Sequence, residues 1–279
     1  MVRIITDSSA DLEPREYEQM QITCIPLGVS FGDTDYQENV NLSKDQFYDL
    51  LADGGFPKTA QPSPQILLDL FEEAKSAGEE AVYICISSAI SGTYQTACAT
   101  RELAECDDCY VLDSKNATGG LRLLLEQAVR LRDQGKTARE IIAGVEAIRD
   151  KVVLFACMDT LEYLYRGGRI SQTVYKLGTL AQVKPIIRIT EEGAVEVPAK
   201  AMGMRKGMDM LCKRVETQKP SMDHSFYAMY TGERSNGVLL AEKFRAMGYD
   251  VPDEKIINVG AAIGSHVGPN ACGMVYIAE

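Results

Sequence analysis

The sequence predicts an α/β protein of two domains. An N-terminal α/β domain on a mainly parallel sheet covers residues 1–158, and an α+β domain covers residues 159–279. Three observations carry this. Over the first domain, short apolar runs alternate with helical periodicity, the order that gives parallel strands with helices on both faces. In the second domain a pair of apolar runs flanks Glu191-Glu192-Gly193, which reads as an antiparallel hairpin. The 279 residues are enough for two domains, each burying its own core.

The elements follow in order. Val2-Arg3-Ile4-Ile5-Thr6 is a buried strand ended by Asp7-Ser8-Ser9-Ala10-Asp11. Residues 22–40 carry short strand patterns, with Gly28 and Gly32 as turns. Ser43 is placed to N-cap a helix whose Phe47, Leu50 and Leu51 share one face. Residues 56–64 form a proline-stiffened loop, and Ser63 with Pro64 starts a helix that runs to about Gly78. A strand at 81–86, a helix at 93–105, a strand at 110–112 and helices at 117–134 and 138–150 come next. Residues 152–158 read as the last strand of the first domain. The second domain opens with a helical turn at 161–165, broken by Gly167-Gly168, and a helix from Ser171 to about Gln182. Strands at 185–189 and 194–198, a helix at 205–218, a strand at 225–231, a helix at 235–247 and strands at 255–259 and 273–278 complete it.

Composition narrows the function. Lys plus Arg is 29 against 40 Asp plus Glu, a net charge of −11, which disfavours nucleic acid and anionic membrane surfaces as partners. The longest apolar runs, such as residues 152–158, are too short to span a bilayer. The N-terminus enters a strand directly and does not read as a signal peptide, so a cytoplasmic protein is expected. Of eight cysteines, Cys85, Cys157 and Cys212 lie in apolar runs and read as small hydrophobes. Cys106-Asp107-Asp108-Cys109 ends a helix among acids and has no second pair, which weighs against redox and zinc roles. No metal or cofactor is expected.

One stretch stands out chemically. Ser87-Ser88-Ala89-Ile90-Ser91-Gly92-Thr93-Tyr94-Gln95-Thr96-Ala97 joins a strand to a helix. Backbone N–H groups and the helix dipole favour an anion at such a turn. It lacks the lysine of a Walker loop and the glycines of a dinucleotide fingerprint, so a nucleotide is not indicated. Asp7-Ser8-Ser9 and Asp113-Ser114 end strands at the same sheet edge, where they read first as turn and helix caps. Thr59, taken alone, is an ordinary turn hydroxyl. His266 sits in the glycine-dense stretch 264–273, where a turn histidine and a functional one are equally consistent. His224 reads as a surface residue. Arg166-Gly167-Gly168-Arg169 puts two cations at a flexible break.

Taken together, these segments resemble the DegV family of bacterial fatty-acid-binding proteins. The resemblance runs end to end. It includes Ile5-Thr6-Asp7-Ser8-Ser9-Ala10-Asp11-Leu12, Thr59-Ala60-Gln61-Pro62-Ser63-Pro64, Ser91-Gly92-Thr93-Tyr94-Gln95 with Ala97, and Val111-Leu112-Asp113-Ser114. It continues through Asp159-Thr160-Leu161-Glu162-Tyr163-Leu164, Gly167-Gly168-Arg169-Ile170 and Lys184-Pro185-Ile186 to His266, Gly268-Pro269 and Gly273. The family pattern often has glycine where this chain has Asn270, and lysine where it has Tyr165-Arg166.

The resemblance implies a non-catalytic protein that holds a long-chain fatty acid such as palmitate between its two domains. It would present the carboxylate to a separate ATP-dependent fatty acid kinase for phospholipid synthesis. It implies Thr59, Ser91, Gly92 and His266 as ligand-binding residues, and Arg169 and Arg205 as kinase-docking residues. Neutral hydroxyls at a helix N-terminus can hold a carboxylate without burying a counter-charge. A tail of about fourteen methylenes at roughly 0.8 kcal/mol each gives on the order of 11 kcal/mol of gross burial, reduced by association and ordering costs. The alternative from the residues is an acyl hydrolase or transferase with Ser91 as nucleophile and His266 as base. A self-contained small-metabolite kinase is disfavoured because no nucleotide loop is visible in the sequence.

Overall fold

The computed structural model describes residues 1–176 and 182–279. In chain order the strands are β1 (Arg3–Asp7), β2 (Ile22–Ile25), β3 (Gly28–Phe31), β4 (Thr34–Gln37), β5 (Pro57–Ala60), β6 (Ala81–Cys85) and β7 (Cys109–Asp113). They continue with β8 (Val152–Cys157), β9 (Val183–Ile189), β10 (Val195–Met202), β11 (Tyr227–Tyr230), β12 (Ile256–Asn258) and β13 (Cys272–Ile277). The helices are α1 (Pro14–Gln19), α2 (Lys44–Ala52), α3 (Pro64–Ala77), α4 (Thr93–Ala104), α5 (Gly119–Asp133) and α6 (Ala138–Arg149). After them come α7 (Glu162–Arg166), α8 (Gln172–Lys176), α9 (Met204–Thr217), α10 (Ser235–Ala246) and α11 (Ala261–Val267).

The expected mixed α/β architecture is present. Among the described residues, β2, β1, β6 and β7 form a parallel sheet in that order. Strand side chains alternate between faces. Ile5, Tyr83 and Cys85 pack with Leu67 and Phe71 of α3 and Ala97 of α4. Ile4, Val82 and Ile84 pack on the other face with Leu121 and Leu125 of α5 and Ile141 and Val145 of α6. A mixed sheet of order β10-β9-β8-β13-β11-β12 forms the second layer. Its outer face carries Val153, Cys157, Met274 and Tyr276 against Met208 and Leu211 of α9 and Leu240 and Phe244 of α10. Helix α5 lies between the two sheets. Leu121 and Leu125 face the parallel sheet, whereas Leu123 packs with Leu154, Met229 and Val275 of the mixed one. Leu121, Leu123, Leu124 and Leu125 are all buried, as a helix packed on opposite sides requires, and Arg130 and Asp133 reach solvent toward its end. A small antiparallel sheet, β4-β3-β5, sits alongside.

Several local expectations match. Ser43 accepts from Gln46 N and forms a capping box with it. Ser63 precedes Pro64 at the first position of α3, which ends at Gly78 in the left-handed conformation, φ +63°. Others are corrected. The strand at 152–158 does not close the first sheet: β8 pairs with β13 and β9 in the mixed sheet. An apolar strand reads the same in either sheet, so its partners were invisible locally. The proline-stiffened loop contains strand β5, an edge strand that begins at Pro57, where a missing N–H costs no ladder bond. Gly28 is a strand residue of β3, while Gly32 makes the turn with φ +57°. The glycine-dense segment around His266 is helix α11, with a turn only after it. Of the helix expected from Ser171 to Gln182, α8 covers Gln172–Lys176, and residues 177–181 lie outside the described residues. Cys106 and Cys109 are joined in a disulfide between α4 and β7. Among the described residues no cluster of potential metal ligands occurs, and no helix is long and apolar enough to cross a membrane.

Candidate functional site

A cavity of about 330 Å³ lies between the inner face of the mixed sheet and the C-terminal edge of the parallel one. Its floor is the sheet face that carries Leu154 and Ala156 of β8, Ile187 and Ile189 of β9, Met229 of β11 and Gly273 of β13. Ala262, Ile263 and His266 of α11 form part of its wall, and Ile86, Ile90 and Ala117 close it from the parallel sheet. Most of the wall is apolar. The polar groups are Thr59, Gln61, Ser91, Thr118, Arg169, Tyr230, Thr231 and His266.

Thr59, Ser91, Gly92 and His266 all line this one cavity, although three separate stretches of chain deliver them. Thr59 comes from β5, held in register opposite Val29 of β3. Its Oγ1 lies 2.9 Å from His266 Nε2. Ser91 ends the turn after β6. That turn is shaped by Asp113, which accepts from Ser88 N, Ser88 Oγ and Lys115 N, and by Ser87 O, which accepts from Ile90 N and Ser91 N. Ser91 Oγ bonds Thr93 Oγ1 (2.8 Å) and accepts from Thr93 N (3.3 Å) at the start of α4. Gly92 is the N-cap of α4, and a Cβ there would collide with the Gln61 side-chain amide. Asp7 acts as a cap, as its position suggested: it accepts from Ser9 N, Ser9 Oγ and Ile86 N.

His266 is the sixth residue of α11, and two carboxylates from the N-terminal end of the chain hold that helix. Asp11 Oδ1 accepts from Gly260 N (2.9 Å) and Glu38 Oε1 from Ala262 N (3.1 Å). Both satisfy donors that a helix start leaves open. Glu38 Oε2 accepts from Ser8 Oγ, which in turn accepts from Leu27 N. A Cβ at residue 260 would meet both carboxylates, so glycine is needed there. Gly167 is required for a similar reason: a Cβ would collide with His266 Nδ1. Burial pushes the His266 pKa down to about 4, helped by the positive Arg169, so the ring is neutral near pH 7. Its Nδ1 is buried without a hydrogen-bond partner among the described residues.

This arrangement does not assemble a hydrolytic triad. Ser91 Oγ is engaged with Thr93, His266 Nε2 with Thr59, and among the described residues no acid orients His266 Nδ1. Hydroxyls and the start of α4 on the wall of a mostly apolar chamber are instead groups suited to an anionic oxygen.

The family model described as an uncharacterised protein of the DegV family matches residues 1–279. The chain belongs to the DegV family. A DegV domain-containing protein of Clostridium perfringens is 31% identical over 284 residues, covering 99% of this chain and 97% of the relative. The solved structure of a fatty-acid-binding DegV family protein from Thermus thermophilus is 26% identical, with a TM-score of 0.87, covering 100% of this chain and 99% of that one. DegV of Bacillus subtilis, a fatty acid binding protein, is also 26% identical, with a TM-score of 0.81 and the same coverage.

In this DegV chain the two arginines picked from sequence occupy different settings. Arg169 is half-buried and lines the cavity; its Nε donates to Ile90 O (2.9 Å) and its Nη1 to Gly167 O. Arg205 is exposed on α9, away from the cavity wall. His224 is partly buried rather than on the open surface. Asn270 takes φ +63°, a left-handed conformation that asparagine tolerates better than most residues, which explains how it stands in for glycine. Sequence reading missed Gly167, Asp11 and Glu38 as supports of His266. Only their distant partners reveal those roles. It also left the apolar lining unassigned, since that lining is one face of a sheet whose strand order was unknown.

Proposed function

We propose that this protein binds one long-chain fatty acid in the cavity and presents its carboxylate to a partner ATP-dependent fatty acid kinase. The observation that carries the reading is the apolar chamber itself. Its wall is mostly apolar, and Thr59, Ser91, Gly92 and His266 all line it, with Thr59 Oγ1 2.9 Å from His266 Nε2. Fatty acid binding by the DegV proteins of T. thermophilus and B. subtilis supports it.

In this reading Thr59 and Ser91 donate hydroxyl hydrogens to the carboxylate, and Gly92 opens the start of α4 to it. Neutral His266 orients the Thr59 hydroxyl. Arg169 supplies a positive field at the head group, and the exposed Arg205 is the better-placed of the two arginines for docking a kinase. The tail gives most of the affinity through burial and the head group gives orientation.

The test is a titration of delipidated, refolded protein with hexadecanoic acid and with its methyl ester. Wild type should prefer the acid. The Thr59→Ala, Ser91→Ala double variant should lose most of that preference while still binding the ester. An unchanged acid-to-ester ratio in the double variant would refute the head-group assignment.

A further inference from the structure

Two side chains separate the ligand cavity from a second one. On the mixed sheet the ligand cavity extends to Leu154 of β8 and Ile189 of β9. The same two residues line a smaller cavity of about 80 Å³. That second chamber is polar, with Lys115, Arg149, Arg188 and Arg214 set against Asp150 and Glu191.

The second chamber exists because β8 and β9 separate. Their ladder runs from Met158 N→Pro185 O (2.8 Å) to the Phe155–Arg188 pair and stops there. Leu154 and Ile189 would be the next pair. Neither strand frays: β8 stays paired with β13 down to Val152, and β9 stays paired with β10 through Ile189. The β9–β10 turn is drawn toward the parallel sheet instead. Ser87 Oγ donates to Gly193 O (2.9 Å), and Gly193, at φ +84°, lies against Ser87 and Lys115. Guanidiniums occupy the gap. Arg214 stacks over the Phe155 ring at 5.2 Å, and Arg149 Nη1 donates to Asp113 O (3.2 Å). Arg149 Nε and Arg214 Nε are buried without hydrogen-bond partners among the described residues, although Asp150 lies 3.5 Å from Arg149 Nε.

The direction of the cavity floor makes this seam its far end. Ala271 follows His266 by five residues, lines the same cavity and donates its N–H to Thr231 Oγ1, so we take the head-group end to lie on its side. From Ala271, just before β13, to Val275, the residue paired with Leu154, the chain advances about 14 Å at about 3.4 Å per residue. The floor between is made of the small residues Gly273 and Ala156. Val275 and Leu123 are buried and pack beside Leu154. We propose that Leu154 and Ile189 form a septum that stops the ligand tail, and so determine which acyl length the protein accepts. This rests on the fatty acid reading above. Breaching the septum joins the acyl chamber to the cationic one, so a tail ending in a carboxylate gains more than one ending in a methyl.

The test titrates delipidated protein with hexadecanoic, docosanoic and docosanedioic acids. In the Leu154→Ala, Ile189→Ala double variant, docosanoic acid should gain at least tenfold relative to hexadecanoic acid. Docosanedioic acid should gain more, and adding Arg214→Gln should remove that excess. Ile189→Phe fills the half-buried position and keeps the packing of Leu154, so it covers the case in which the double variant melts early. It should shift preference at least tenfold toward dodecanoic over hexadecanoic acid. An unchanged length preference in the folded variants would overturn the proposal. So would a length gain in Met229→Ala alone, which would put the tail toward β11. Failure of wild type to bind hexadecanoic acid is a separate outcome and would refute the fatty acid reading itself.

Discussion

His266 shows how residue-level physics shapes this site. Its imidazole has lost most of its water and faces Arg169, so the charged form is disfavoured and the pKa falls to about 4. The unfolded chain takes up this proton more readily, so its contribution to stability falls as pH drops from the ordinary imidazole value toward 4. At neutral pH the ring is a hydrogen-bonding partner of Thr59 and carries no charge. The imidazole is kept there by the missing side chain at Gly167. Gly167→Ala would drive a methyl into Nδ1 and push the ring off Thr59. The expected result is a ten- to hundredfold loss of affinity for a fatty acid, set by one charge-assisted hydrogen bond of roughly 1.5–3 kcal/mol, with methyl ester binding little changed. Calorimetric titration of both ligands checks this, and equal losses for acid and ester would contradict it. Thr59, Ser91 and His266 were legible in the sequence as motif residues. Gly167 was read as belonging to a flexible break, because the ring it makes room for arrives from the opposite end of the chain.

At the scale of elements, α11 and β5 were the hardest to see, and for the same reason. The donors at the start of α11 are satisfied by Asp11 and Glu38, so no local cap marks the helix in the sequence. Strand β5 shows two prolines nearby and becomes a strand only through β3. Helices with local caps, such as α2 and α3, were legible to within a residue or two. The remote capping of α11 has a pH signature. Burial raises Asp11 to about 6 and Glu38 to about 7, with their mutual repulsion adding to Glu38 and Lys44 opposing both shifts. Tyr17, Tyr48 and Cys24 also face this cluster, and their own pKa values are raised, so they stay neutral. The folded protein therefore holds protons that the unfolded chain releases. Stability contributed here falls as pH rises from the ordinary carboxylate range through 7. Glu38→Gln keeps an acceptor for Ala262 N and removes the buried charge. It should be more stable than wild type at pH 8, by roughly 1–3 kcal/mol, with the difference shrinking toward pH 5. Denaturant unfolding across that range checks it, and a difference that grows at low pH would contradict it.

At the scale of the whole molecule, the two larger sheets share helix α5 and border the apolar cavity. The alternation of strands and helices over the first 150 or so residues, and the hairpin at 185–198, made the fold class legible. The sharing was not legible. Strand β8 comes from the segment assigned to the first domain, yet it lies beside β9 and β13, and α5 contributes Leu121 to one core and Leu123 to another. The cavity floor is therefore built from strands far apart in sequence, and no single segment shows its apolar length. That length makes the binding claim testable on the intact molecule. The most direct measurement is solvent extraction of the purified protein followed by mass spectrometry, paired with native mass spectrometry of the delipidated, refolded chain titrated with hexadecanoic acid. A long-chain fatty acid is expected in the extract, and one added molecule per chain on titration. A protein that carries no acyl lipid and takes up none after delipidation would contradict it.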